Sequence, residues 1–133
     1  MYTATTHSIR IDVIPEYLGL QVKGTDEPVN HCWTYSITMT NEGAETVQLK
    51  RRHWVITDAI GHRQEVDGEG VVGETPILAQ GQSFSYKSGV PLSTEHGVMS
   101  GDYLFVRVSD NEPLLVTVPA FSLDKPDSSR ALN

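Results

Sequence analysis

Across residues 32–41 apolar and polar side chains alternate without a break, with Trp33, Tyr35, Ile37 and Met39 at odd positions and Cys32, Thr34, Ser36, Thr38 and Thr40 at even ones. A period of two collects the large side chains on one face, which only an extended strand lying against a core can use. Shorter stretches rich in Val, Ile, Thr, Tyr and Phe read as further strands at 9–14, 19–22, 47–49, 54–57, 63–66, 83–86, 103–108 and 114–118. Between them lie glycine and Asx clusters of the type that reverses direction between strands: Asn41-Glu42-Gly43, Gly61, the glycines from Gly68 to Gly73, Gln80-Gly81-Gln82 and Asp110-Asn111. No window carries the period of an amphipathic helix. Short strands at this spacing predict an all-β sandwich or barrel.

A length of 133 residues is expected to form one domain over 1–133. Its polar, unpatterned letters at 1–6, 22–30 and 124–133 predict a flexible tail, a mobile loop and a second flexible tail. An apolar share of 38% with eleven glycines is that of a folded protein rather than a disordered one. The longest apolar run, Tyr103-Leu104-Phe105-Val106, falls far short of the about 20 residues that a membrane-spanning helix needs. The first residues have neither the basic start nor the apolar stretch of a secretory signal, so a cytoplasmic protein without a membrane partner is expected. A net charge of −7 argues against duplex nucleic acid, whose binding rests on a basic surface. The single cysteine, Cys32, has no partner for an internal disulfide and reads as a structural thiol.

The third strand region is irregular. Val47 and Leu49 are odd whereas Trp54 and Ile56 are even, so the apolar parity flips across Lys50-Arg51-Arg52-His53, as it does when one extra residue forms a β-bulge. Lys50, Arg51 and Arg52 are also three of the ten Lys and Arg residues of an acidic protein. They suit a solvated strand edge, where lysine discourages pairing with another molecule. The second reading, after that edge, is an anion or acidic-partner contact, for which Arg52 offers a planar fork.

Gly68-Glu69-Gly70-Val71-Val72-Gly73 spells G-x-G-x-x-G. In dinucleotide-binding folds these glycines open a helix whose N-terminal N–H groups hold a pyrophosphate. Here the β-branched Val71 and Val72, the early Pro76 and the nearby Glu65, Asp67, Glu69 and Glu74 oppose both a helix and a phosphate. Two readings survive: a glycine-rich connection between strands, or a backbone nest for an anion with Arg52 supplying charge.

No catalytic pattern emerges. None of the serines lies in G-x-S-x-G, and His7, His31, His53, His62 and His96 never fall at ligand spacings of two or four. Glu65, Asp67 and Glu69 alternate and read as a hydrated strand edge.

The stretch Arg52-His53-Trp54-Val55-Ile56-Thr57-Asp58, then Gly61, then Val66-Asp67-Gly68-Glu69-Gly70-Val71-Val72-Gly73, with Pro76, Gly81, Tyr86, Ser88-Gly89, Gly97, Met99, Gly101 and Tyr103 after it, resembles the signature of the bacterial ApaG family. The resemblance spans residues 9–123 and implies a fibronectin type III/immunoglobulin-like β-sandwich of about seven to nine strands. It implies no enzymatic activity and no cofactor. It further implies a gene that often neighbours a diadenosine tetraphosphate hydrolase, a domain that recurs in eukaryotic F-box proteins with a recognition role, and a tie to cobalt and magnesium tolerance. A contact of the glycine loop with pyrophosphate also belongs to what the family suggests. The expected function is therefore a non-catalytic binding module for an unidentified protein partner, without catalytic residues or metal ligands. The alternative is a phosphate- or nucleotide-binding protein that uses Arg52, Gly68, Gly70 and Gly73 on a pyrophosphate-containing small molecule.

Overall fold

Residues 1–21 and 30–126 are described by a computed structural model, and strands dominate them: β1 (Tyr2–Thr6), β2 (Ile9–Gln21), β3 (Asn30–Asn41), β4 (Val47–Asp58), β5 (Arg63–Glu69), β6 (Ile77–Leu78), β7 (Ser83–Leu92), β8 (His96–Arg107) and β9 (Pro113–Asp124). Among the described residues there is no helix, and none long and apolar enough to cross a membrane. The alternation of β3 is realised in full, because Trp33, Tyr35, Ile37 and Met39 are buried while their even neighbours are half-exposed. The strand pairings are antiparallel and build two sheets, one in the order β1-β2-β3-β7 and the other in the order β5-β4-β8-β9, with the short β6 pairing on β4. Their inner faces pack as a fibronectin type III/immunoglobulin-like sandwich.

The core between the sheets is aromatic at its centre. Tyr35 meets Trp54 edge-on with centroids 5.4 Å apart, and Trp54 stands nearly perpendicular to Tyr103 and Phe121 at 5.9 and 6.1 Å. Edge-to-face contacts of this kind add about 0.5–1.5 kcal/mol each to the burial of the rings. Leu49, Met99, Phe105, Val116 and Leu123 complete the layer, all buried.

The two flanks of the sandwich differ. On one, β1 and β2 lie against β9, where Tyr2 packs on Phe121 and two side-chain bonds, Thr117 N–H to Thr6 Oγ1 and Ser122 N–H to the Tyr2 hydroxyl, stitch the sheets together. On the other, β5 and β7 each pair on one side only among the described residues and leave a cleft between them.

Several sequence expectations need correction. Residues 2–6 are not a flexible tail but β1, which pairs with β2 through the turn His7-Ser8. The stretch 9–14 and residues 19–21 of the stretch 19–22 belong to one strand, β2, whose register shifts between Tyr17 and Gly19. Likewise 47–49 and 54–57 are the two ends of β4. The tail expected from 124 starts too early, since Asp124 closes β9; residues 127–133, like 22–29 of the expected mobile loop, lie outside the described residues.

Candidate functional site

The bulge expected from the parity flip lies within the stretch 50–53: β4 pairs Leu49 with Phe105 of β8 and then Arg51 with Leu104, so Lys50 is the extra residue. Its effect is to swap faces. Before the bulge the odd positions Val47 and Leu49 point inward, and after it the even positions Trp54 and Ile56 do. Arg52 therefore falls on the inner face of the sheet, half-buried beside Trp54, while Arg51 is exposed.

Across the ladder Arg52 faces Gly68 of β5. A Cβ on Gly68 would lie 2.6 Å from Cζ, Nη1 and Nη2 of Arg52 alike, so the flat guanidinium rests on the glycine backbone and only glycine leaves room for it. Nη1 donates to the Glu69 carbonyl at 3.1 Å and to the Gly70 carbonyl at 2.9 Å. Among the described residues, Nε and Nη2 hold no hydrogen bond and no carboxylate lies within ion-pair distance of Arg52.

The glycine loop is pinned from several sides. The Gly70 N–H donates to the carbonyl of the bulged Lys50 at 2.8 Å, and Val71 and Glu74 exchange backbone bonds of 2.9 and 2.8 Å around the turn Val72-Gly73. Gly70 has φ +62°, and a side chain there would run into the Glu74 carbonyl. The Val71 side chain is fully buried and anchors the turn in the core. No helix follows, and the N–H groups of Gly70, Val71 and Glu74 are already bonded within the protein. Arg52 thus meets Gly68 and Gly70 directly, but through backbone packing and carbonyls rather than N–H groups; Gly73 sits at the outer turn.

Arg52 also lines the cleft between β5 and β7, a cavity of about 220 Å³ with Tyr35, Trp54, Gln64, Ser88 and Pro91. A second hollow of about 290 Å³ shares Ile56, Gln64 and Pro91 with it and extends toward Asp58, His62 and Arg63, so the two form one trough along the open flank. None of Gly68, Gly70 and Gly73 lines that trough. Burial pushes the Tyr35 hydroxyl pKa up, partly offset by Ser88 and by the charge of Arg52. Behind it the hydroxyls of Tyr86 and Tyr103 bond to each other, and burial holds both well above the ordinary tyrosine value. These phenols stay neutral donors and acceptors at any physiological pH. On the outer face of β4, His53 Nδ1 lies 2.8 Å from Asp67 Oδ1, which raises the pKa of the imidazole. Among the described residues no three His, Cys, Asp or Glu side chains gather as metal ligands would.

Comparison with known proteins places this geometry in a lineage. The ApaG domain matches residues 22–107. The ApaG protein of Bradyrhizobium sp. (strain ORS 278) is 53% identical over 133 residues, covering the whole of both proteins. This protein belongs to the ApaG family. The ApaG protein of Rhodopseudomonas palustris (strain ATCC BAA-98 / CGA009) is 49% identical, again over the whole of both. In three dimensions, the Bordetella pertussis protein crystallised as a putative ApaA protein is similar with a TM-score of 0.79 and 35% identity, over 93% of this sequence and 98% of that one. The stretch matched to the ApaG domain holds Arg52, Gly68, Gly70 and Gly73 and the whole lining of the cleft, and it stops before β9.

No sequence pattern singles out Tyr35, Gln64 or Ser88 as a site residue. Tyr35 and Ser88 are cross-strand partners on β3 and β7, in the sheet opposite Arg52, so only the packing of one sheet on the other brings them to it. The one available signal is the inward turn that the bulge gives Arg52, a cation on a core-facing parity.

Proposed function

We infer that the protein is a non-catalytic binding module whose ligand is another protein. The observation that carries this reading is the open flank: among the described residues β5 and β7 each keep one strand edge unpaired, on either side of a solvent-reachable trough. Unpaired edges are templates for an added strand, and natural monomers usually cover them or blunt them. The outer end of β2 adds apolar surface, since Ile14, Leu18 and Leu20 are more than half exposed and lie past residue 13, where pairing with β1 ends.

A photo-cross-linking side chain introduced at Lys87 of β7 or Glu65 of β5, both exposed, tests the reading in the native host, with exposed Thr3 of β1 as the control position. The two flank positions are expected to yield the same protein adduct and Thr3 none. Flank positions that capture nothing, or only what Thr3 captures, would remove the reading.

A phosphate or nucleotide ligand on the loop is the second reading, favoured by the placement of the Arg52 guanidinium against Gly68 at the start of the loop. It predicts pyrophosphate-induced NMR shifts confined to Arg52 and residues 68–73, saturating at micromolar ligand and lost in Arg52→Ala.

A further inference from the structure

We propose that the trough between β5 and β7 is a carboxylate-binding site, in which the free Nε and Nη2 edge of Arg52 receives an acidic side chain or the C-terminal carboxylate of the protein partner. The proposal rests on the protein-binding reading above and says what that partner must present.

Four observations lead there. The bulge at Lys50 turns a cation to the inner face of a sheet, where an unpaired charge is unfavourable unless something answers it. Nothing among the described residues does so with a negative charge: the two carbonyls on Nη1 orient the group without neutralising it. Their position then decides which donors remain. With Nη1 occupied and the plane seated on Gly68, the side of the fork left without a partner among the described residues is Nε–H with Nη2–H, the edge that takes the two oxygens of a carboxylate side by side. Around it, Tyr35, Gln64 and Ser88 supply neutral hydrogen-bonding groups suited to a fixed, planar ligand.

The charge count selects a monoanion. Among the described residues Arg52 is the only cation lining the 220 Å³ cavity, and Arg63 in the adjoining hollow is already paired with Glu65 at 2.7 Å. A doubly charged phosphoryl group there would meet one guanidinium and keep a charge unanswered, whereas a carboxylate is matched one to one. The free edges of β5 and β7 run along the trough and can hold the peptide backbone on either side of that carboxylate.

Three capped or free peptides test the idea by NMR on the full-length protein: Ac-Val-Glu-Val-NH2, Ac-Val-Gln-Val-NH2, and Ac-Val-Gln-Val with a free C-terminal carboxylate. Inorganic pyrophosphate is the fourth probe. At least one carboxylate peptide is expected to shift the Arg52 Nε–H together with Gln64 and Ser88 signals, and the neutral Gln peptide to leave them in place. Whichever carboxylate peptide saturates at lower concentration identifies the source as side chain or terminus. Arg52→Lys, which keeps the charge and loses the fork, is expected to weaken binding roughly tenfold or more. Because Arg52 also braces the loop, Ser88→Asp serves as a second variant: it places a carboxylate of the protein's own in the trough and should abolish binding with the spectrum otherwise folded. Shifts no larger with either carboxylate peptide than with the capped Gln peptide, or pyrophosphate saturating tenfold lower than either carboxylate peptide, would overturn the carboxylate site. If the flank still cross-links to a protein in that event, the binding-module reading stands without it; if the cross-links fail as well, both fall.

Discussion

Gly70 shows how little freedom the loop has at the level of single residues. Its φ of +62° and the Glu74 carbonyl facing it exclude a side chain on two grounds. Gly70→Ala is expected to lower stability by more than about 1 kcal/mol in urea melts. Gly68→Ala differs in kind, since it leaves the turn alone and drives a methyl into the guanidinium of Arg52, so its first effect should be a moved Arg52 Nε–H resonance. On the opposite face of the same sheet, His53 gives a pH-dependent prediction. The bond to Asp67 raises its pKa, burial works the other way, and the charges of Asp67, Asp102 and Glu65 add to the rise. A raised folded-state pKa means that the pair's contribution to stability is complete below the unfolded value of about 6.5 and is lost as pH climbs through the folded value. Imidazole NMR should find His53 titrating above that reference, and Asp67→Asn should bring the midpoint down. A midpoint unmoved by Asp67→Asn would show that the bond does not persist in solution.

Among the elements, β4 holds the most. Trp54 joins both sheets through Tyr35, Tyr103 and Phe121, and Trp54→Ala is expected to cost about 3–5 kcal/mol in urea melts. Tyr86→Phe leaves the buried Tyr103 hydroxyl without its partner and should cost about 1–3 kcal/mol. A loss under about 1 kcal/mol for Trp54→Ala would show that the two sheets do not depend on this contact. The alternation in β3 and the parity flip in β4 are legible in the letters because each is a local pattern. β1 is not: its hairpin turns on His7 and Ser8, with φ of 51° and 62°, a conformation usually announced by Asn-Gly. Arg52 is legible as a cation beside a bulge, and Gly68 and Gly70 as positions of backbone freedom. That Gly68 is a seat for the guanidinium stays hidden, because the pairing of residues 52 and 68 is a matter of register between strands. The trough is hidden for a stronger reason, as its walls belong to two sheets.

For the whole molecule, the inner position of Arg52 matters because the protein around it carries −7. An acidic surface repels anions at long range, so an anion reaching the trough must gain its affinity at short range, and added salt should ease its approach rather than hinder it. The absence of a nucleophile, base or ligand pattern from the sequence leads to a further expectation: purified protein should hydrolyse neither dinucleoside polyphosphates nor nucleoside triphosphates above a buffer blank, with or without divalent metal. Turnover that vanished in Gly70→Ala would contradict it. The glycine-rich segment itself has a consequence in time rather than in space. Glycine loops are commonly the quickest parts of a protein to open, yet here Val71 is sunk in the core and the Gly70, Val71 and Glu74 amides are tied to β4 or across the turn. To free those amides the plug must leave the sandwich, which disrupts the core that both sheets share. Their hydrogen exchange should therefore run at the slow pace of the central strands and track global unfolding as denaturant is added, making this loop one of the last places in the molecule to breathe.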